Sequence, residues 1–342
     1  VKLCFIANER ITQNNSLTAQ FCDCYDDSTQ QFIREVFMSH LVTVTGATGH
    51  IGSGIVERLL NGGHRVRGII RNKEKFAPLE AKGAEARVGD LSDAEFLSEA
   101  FRGSDALFVM IPPDQTVEDI RAEQRQITNK LAKAIEAAGV TRAVALSSIG
   151  GQLASGTGPI TGLHDLEERL KSVPDLSLVI LRPTYFMENF LYWIPLIKSA
   201  GICGETVRGD VSMPLIATRD IATVAAEYLA KPTFDGITVR HLLGPRDHTL
   251  RESTTILGDA IGKPDLQYVE FKTEDYRKGL LQAGFSESVA DAYIEMENSI
   301  NDGSVFAEAT RDESTTTPTT LEEFARDTFA PAFKGAASEA RA

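Results

Sequence analysis

A five-residue apolar run, Leu41-Val42-Thr43-Val44-Thr45, leads without interruption into Gly46-Ala47-Thr48-Gly49-His50-Ile51-Gly52. Apolar residues then recur at Ile55, Val56, Leu59 and Leu60, the spacing of one helix face, until Gly62-Gly63. A second run, Arg65-Val66-Arg67-Gly68-Ile69-Ile70, stops at Arg71. Strand, glycine-rich turn, helix and strand in this order form the opening unit of a dinucleotide-binding parallel sheet. Gly46 supplies the tight turn. Gly49 lets the backbone approach a pyrophosphate, and Gly52 lets the helix pack closely on the strand. The helix N-terminus adds free N–H groups and partial positive charge. A glycine triplet alone would also suit a surface turn, but here both flanking elements are present.

The end of the second strand bears on which dinucleotide. A site for NAD usually carries Asp or Glu there, to bind the ribose 2′-hydroxyl. This chain has Arg71-Asn72-Lys73-Glu74-Lys75. Cations with no carboxylate at the strand end suit a 2′-phosphate, so NADP(H) is expected in preference to NAD(H). Arg71 is the main candidate. Lys73 and Lys75 are equally compatible with a solvated helix start.

Past Met38 the pattern keeps alternating, as a doubly wound parallel sheet requires. Strands are expected at Ala84–Val88, Ala106–Ile111, Arg142–Leu146 and Leu176–Leu181, with helices at Asp93–Phe101, Val117–Ala138 and Leu163–Leu170 between them. Gly139 reads as a helix stop. Beyond Arg182 the simple alternation breaks. An aromatic-rich helix is expected over Phe186–Ile197, short strands over Glu205–Pro214, a helix from Thr218 to Leu229 and a strand over Ile237–Leu243. Leu250–Ile261 and Glu274–Ile300 read as helical, and Thr320 with Glu323 makes a capping box for a last helix. The expected fold is therefore α/β: a Rossmann-type doubly wound parallel sheet with a smaller C-terminal α/β substrate lobe. Residues 38–330 would hold it, with the lobe drawn mainly from 184–330.

The segment before Met38 lacks a sustained period. It reads as an upstream extension, poorly ordered, with Met38 as the natural start. Residues 331–342 read as a mobile tail. The 342-residue length suits one large domain with a lobe. A net charge of −13 argues against direct nucleic-acid binding, which needs local cation density. No run of about 18 apolar residues exists, so no membrane span is expected. The cysteines Cys4, Cys22, Cys24 and Cys203 form neither a disulfide framework nor a zinc pattern, which suits a reduced, cytoplasmic setting and no metal.

Taken together, Gly46 to Gly52, Gly89-Asp90-Leu91, Ser147-Ser148, and Leu181-Arg182-Pro183 with Phe186-Met187-Glu188-Asn189 resemble the NmrA-like, atypical short-chain dehydrogenase/reductase family. The resemblance runs from about His40 to about Phe329. Members include NADPH-dependent quinone reductases, azo and triphenylmethane dye reductases, and catalytically silent sensors of the NADPH/NADP ratio. The resemblance implies a pyrophosphate loop of Gly46, Thr48, Gly49, His50, Ile51 and Gly52, and a 2′-phosphate site at Arg71 with Lys75. It implies Asp90 and Leu91 by the adenine, Ile111 and Pro112 on the ribose side, and Ser147 and Ser148 beside the nicotinamide ribose. Pro183 and Phe186 would flank the carboxamide, with Phe186, Met187, Asn189 and Trp193 around the substrate. Each has a plainer reading. Asp90 would serve as a helix cap, Ser148 as a turn residue, the Phe186 to Ile194 stripe as core, and Asp220 as the cap of its own helix.

The wider superfamily pairs a tyrosine with a lysine four residues on, to move a proton in carbonyl chemistry. This chain has no tyrosine between Asp105 and Thr184, and Lys171 has no tyrosine partner. Leu163 stands about where some relatives keep a lysine. Alcohol dehydrogenation and epimerisation are therefore disfavoured. Hydride transfer to an electron-poor acceptor is not, since a bound NADPH and a held acceptor supply most of what it needs. The proton would come from water, His164 or Tyr185. Two functions stay open. One is an NADPH-dependent reductase of a quinone, azo compound or cationic dye. The other is a non-catalytic NADP(H)-sensing regulator with a protein partner. A homodimer is compatible with either.

Overall fold

The computed structural model describes residues 39–335. The expected extension over 1–37 lies outside the described residues, as does the expected tail beyond Gly335.

Strand β1 (Leu41–Thr45) is buried along its whole length, which is why it reads as a continuous apolar run. Helix α1 (His50–Asn61) turns Ile51, Ile55, Val56 and Leu59 inward. Strand β2 (Arg65–Ile70) follows, then a short helix α2 (Phe76–Ala81) that the sequence pattern did not announce. Its Leu79 sits over Gly68, where a Cβ would fall 2.6 Å from the leucine side chain. Next come β3 (Glu85–Val88), α3 (Ala94–Phe101), β4 (Ala106–Val109), α4 (Ile120–Ala138), β5 (Arg142–Leu146), α5 (Pro159–Lys171) and β6 (Ser177–Pro183). Asp93 caps α3 by accepting from the backbone of Glu95 and Phe96, and Asp119 caps α4. Gly139 ends α4 in the left-handed region, at φ 68°.

The second half contains β7 (Tyr185–Phe186), α6 (Ile194–Ala200), β8 (Ile202–Glu205), β9 (Ser212–Ile216), α7 (Thr218–Ala230) and β10 (Ile237–Leu242). It continues with β11 (Asp247–Thr249), α8 (Leu250–Ala260), β12 (Gln267–Glu270), α9 (Thr273–Gln282) and α10 (Glu287–Asn301). The chain closes with α11 (Leu321–Phe324), which carries the expected capping box, a wider turn over Ala325–Phe329, and α12 (Ala330–Lys334).

Seven parallel strands form the central sheet in the order β10-β6-β5-β4-β1-β2-β3. Strand order reverses between β1 and β4, so the crevice opens above their carboxyl ends. On one face α1 packs against α7, with Ile55, Leu59, Ala222 and Leu229 in a common core. The other face is covered by α3, α4 and α5, through Phe101, Leu131, Ile135, Leu166 and Leu170. A third core, holding Phe190, Trp193, Leu257, Phe324 and Phe329, belongs to the lobe. The lobe adds a β11-β9-β7 sheet and a β12-β8 pair.

Three departures from the sequence reading have clear causes. The expected Phe186–Ile197 helix is a short strand, a 3₁₀ stretch over Met187–Trp193, and then α6. Pro195 can sit only in the first turn of a helix, because deeper in it would clash with the preceding turn. Strand β4 stops at Val109, because the Met110 N–H is taken by the Thr45 hydroxyl at 3.1 Å. Asp220 does not cap α7. The Glu188 carboxylate does, accepting from the Thr218 N–H at 3.0 Å, while Asp220 holds the backbone and hydroxyl of Thr319.

Candidate active site

The turn after β1 is built by its glycines. Gly46 has φ +63°, a conformation that L side chains rarely adopt. At Gly52 a Cβ would lie 2.1 Å from the Gly46 carbonyl oxygen, so α1 can seat on the turn only with glycine there. Gly49 differs. Its backbone is extended, and a Cβ would meet only Gly46 O, at 3.5 Å. It stands at the N-cap of α1 with no capping side chain, and the first turn carries no acidic residue. The first N–H groups of the helix are therefore free for an anion.

A cavity of about 890 Å³ opens above the carboxyl ends of the strands. Met110, whose sulfur lies 3.1 Å from a Cβ built on Gly46, ties it to the glycine turn. Arg71 lies at its edge after β2, exposed, with no ion-pair partner among the described residues. The cavity runs past Asp90 and Leu91, Ile111 and Pro112, then Ser147 and Ser148 to Phe186. It continues into the lobe between Tyr185, Asn189, Tyr192 and Trp193 on one side and α9 with α10 on the other. Phe271, Tyr276, Leu280 and Phe285 roof it. The roof is tethered by Ser286, whose N–H reaches Gln115 O at 2.8 Å and whose hydroxyl reaches Val117 O at 2.6 Å.

About half of the residues singled out from the sequence meet at this cavity. Asp90 folds back on Ser92 in a side-chain turn, and that hydrogen bond holds its carboxyl below the usual range. Capping of α3 falls to Asp93, so Asp90 faces the cavity. The aromatic stripe divides: Met187, Phe190 and Ile194 are core, while Phe186, Asn189 and Trp193 face the cavity. Ser147 reaches the wall, but its hydroxyl is buried and donates to Glu167 at 2.5 Å. Lys75, Pro183, Met187 and His164 do not line the cavity, and the turn residues Gly46, Thr48, Gly49, His50, Ile51 and Gly52 stand beside it, next to Met110, and not in its wall. Pro183 ends β6, and the His164 ring lies 3.0 Å from Gly151 O. Leu163 does line it, presenting an apolar side chain with no acid–base group.

Sequence reasoning missed two residues. Glu205, at the end of β8, and Glu297, on α10, are both buried and both line the lobe end of the cavity. Glu205 Oε1 accepts from the Tyr185 hydroxyl at 2.8 Å and from the Trp193 indole N–H at 2.9 Å. Glu297 Oε2 accepts from the Thr206 N–H at 2.9 Å and from the Thr206 hydroxyl. No cationic side chain among the described residues pairs with either carboxyl. Burial, reinforced by the charge of Glu297, pushes Glu205 up to about 8. Burial also raises Glu297, against the lowering effect of Thr206 and Tyr276. Tyr185 is held well above its usual range by burial and by Glu205, so it stays a phenol. In the sequence Glu205 is only a carboxylate closing a short strand and Glu297 one of several acidic residues along a helix, signals too common to single out.

The NmrA-like family model matches residues 38–325. The chain belongs to the NmrA-like family. Among its relatives is a (4-alkanoyl-5-oxo-2,5-dihydrofuran-3-yl)methyl phosphate reductase of Streptomyces griseus, 31% identical over 255 residues, covering 75% of this chain and 85% of the relative. An NAD(P)H azoreductase of Xenophilus azovorans is 29% identical over 260 residues, 75% of this chain and 86% of its own. Among solved structures, the NADPH-dependent quinone oxidoreductase of Escherichia coli complexed with NADPH superposes with a TM-score of 0.71 at 23% identity, over 84% of this chain and 99% of that one. The NmrA-like fold is thus shared along nearly the whole described chain. Among the described residues, no helix is long and apolar enough to cross a membrane, and no group of three or more His, Cys, Asp or Glu is arranged to hold a metal.

Proposed function

We propose that this NmrA-like protein is an NADPH-dependent oxidoreductase that transfers hydride to an electron-poor small-molecule acceptor such as a quinone, an azo compound or a cationic dye. The observation that carries the reading is the single cavity that joins the strand ends to the aromatic lobe. Arg71, with no ion-pair partner among the described residues, stands in the strand-end half, and next to it, across Met110, lie an uncapped helix N-terminus and an open approach at Gly49, the features a dinucleotide needs. Asp90, Leu91, Ile111 and Pro112 would hold the adenosine side, and Ser148 and Phe186 the nicotinamide side. Bound there, NADPH supplies the hydride. The lobe half is walled by Phe186, Tyr185 and Trp193, which offer flat apolar faces to a flat acceptor. A purely NADP(H)-sensing regulator with a protein partner would need no such second chamber, which favours the reductase. The reductase names of the relatives support the same reading.

The test is NADPH oxidation with a panel of quinones, azo dyes, cationic dyes, simple alcohols and unactivated ketones, alongside calorimetric binding of NADPH. Turnover is expected with at least one electron-poor acceptor and none with plain alcohols. Tight NADPH binding with silence across the whole panel would move the assignment to the regulator.

Two glycine variants separate folding from binding. Gly49→Val should fold, because only ordinary contact surrounds a Cβ there, yet lose NADPH affinity at least tenfold, ~1.4 kcal/mol or more. Gly52→Ala should instead lose stability by roughly 1–3 kcal/mol, because its Cβ meets rigid backbone. Denaturant unfolding and binding titration of both variants distinguish the two roles. Wild-type affinity in Gly49→Val would remove the turn from the binding site.

A further inference from the structure

The lobe end of the cavity holds two buried carboxyls, Glu205 and Glu297, with no cation paired to either among the described residues. Resting on the reductase reading, we propose that Glu205 is the proton donor for acceptors whose oxygen or nitrogen must be protonated as hydride arrives, azo compounds above all.

Two carboxyls enclosed at one end of a cavity cannot both ionise cheaply, so the pair retains a proton. The hydrogen bonds decide where it sits. Glu297 receives the Thr206 N–H and hydroxyl on one oxygen and has the Tyr276 hydroxyl beside it. That donor set stabilises the anion. Glu205 receives both of its donors, Tyr185 and Trp193, on Oε1. Its Oε2 has no hydrogen-bond partner among the described residues, so that oxygen is left to carry the proton. Glu205 lines the cavity, and its partner Tyr185 directly precedes Phe186 on β7, just beyond β6, where the hydride is expected.

The step balances simply. The acceptor gains two electrons with the hydride, and NADP⁺ is left. In an azo group the hydride bonds one nitrogen, the N=N π bond breaks, and its electron pair settles on the other nitrogen. The Glu205 O–H bond breaks and its proton bonds that nitrogen, giving the hydrazine. Glu205, now a carboxylate, regains a proton from solvent. A quinone oxygen bears a far less basic charge and needs the donor less. A triphenylmethane cation is neutralised by hydride alone and needs no proton.

Other titratable groups facing Glu205 do not compete in the neutral range. Tyr185, Tyr268 and Tyr276 are all raised by burial and by the nearby carboxyls, and Cys203 is pushed up to about 11. Among these described groups, Glu205 is the one pushed up to about 8.

The experiment is Glu205→Gln, which keeps the shape and neutrality of the protonated acid but cannot release a proton. Azo reduction should fall by about 10²-fold, the scale of a lost general acid, with a smaller loss for a quinone and less than twofold for a cationic triphenylmethane dye. Wild-type azo reduction should decline as pH rises through about 8, and the cationic dye rate should not follow that decline. Equal losses on all three acceptors, or no loss on the azo compound, would overturn the proposal. Wild-type inactivity on every acceptor would overturn the reductase reading itself, and the role of Glu205 with it.

Thermal unfolding against pH gives a readout without turnover. Folded Glu205 keeps its proton to about 8, whereas in the unfolded chain the carboxyl ionises near its ordinary value of 4.5. Between those values unfolding releases a proton, so wild-type stability falls as pH rises across the window and levels off above it. Glu205→Gln should therefore gain Tm relative to wild type between pH 4.5 and pH 8. Parallel curves for the two proteins would show that Glu205 is ionised in the fold, and would overturn the proposal.

Discussion

Arg182→Met is expected to cost ~3–5 kcal/mol of folding stability, the scale of breaking one side of a buried ion pair. Arg182 stands near the end of β6 at 5% exposure and Glu167, on α5, at 0%. The guanidinium grips both carboxylate oxygens, at 2.9 and 2.7 Å, and the Ser147 hydroxyl fills out the pair at 2.5 Å. Removing the arginine leaves a carboxylate in the core with one hydroxyl and the Lys171 ammonium at 3.6 Å. Methionine fills the stem volume, so lost packing contributes little and the uncompensated charge dominates. The second arm of the test is Glu167→Leu with Arg182→Met. Replacing both partners removes the charge from the interior, and most of the lost stability should return. The midpoint of urea unfolding at constant slope measures both. A loss under about 1 kcal/mol in the single variant would mean that the pair is solvated and holds little.

This network also bears on function, because it joins the ends of β5 and β6. Ser147 follows β5, and Arg182 immediately precedes Pro183, whose carbonyl accepts the Ile149 N–H at 2.8 Å. The cavity floor at Ser148 and Phe186 is thus pinned by a charge pair that does not itself line the cavity.

What was legible in the sequence follows from the range of the forces involved. The β1–turn–α1–β2 unit could be read directly, because a glycine turn and two apolar periodicities are local signals. The central sheet followed from the same alternation, and helix caps such as Asp93, Asp119 and Thr320 lay within a few residues of the backbone they satisfy. The lobe was harder. Proline at 195 overrode a helical stripe that looked continuous from Phe186. Asp220 looked like the natural cap of α7, but Glu188, 30 residues earlier, occupies that role, and Asp220 holds Thr319 99 residues later. Glu205 and Glu297 come from β8 and α10, about ninety residues apart in sequence, and only the folded lobe reveals them as neighbours. Two carboxyls brought together at one end of a cavity are a property of the tertiary structure, with no local pattern to disclose them.

Arg71→Asp should weaken NADPH binding by ~100-fold or more while changing NADH binding less than about threefold. The guanidinium stands where a strand-end carboxylate would select NAD, and no ion-pair partner among the described residues occupies it. Asp90 and Asp114 lie close enough for Arg71 to help lower both carboxyls, yet neither forms a salt bridge with it among the described residues. Beside these two carboxyls, Arg71 is the cation at this end of the cavity available to a 2′-phosphate. A charge-assisted bond to the 2′-phosphate is worth roughly 1.5–3 kcal/mol, and aspartate replaces that attraction with repulsion. Both changes act on the 2′-phosphate, which NADH lacks, so the ratio of the two affinities isolates the contact from any general disturbance of the fold. Lys75, half-buried and away from the cavity wall, should matter far less, so Lys75→Ala serves as the comparison. Competitive titration of each variant with both cofactors gives the result. Equal affinity of the wild-type protein for NADH and NADPH would remove Arg71 from cofactor selection, whatever the variant does.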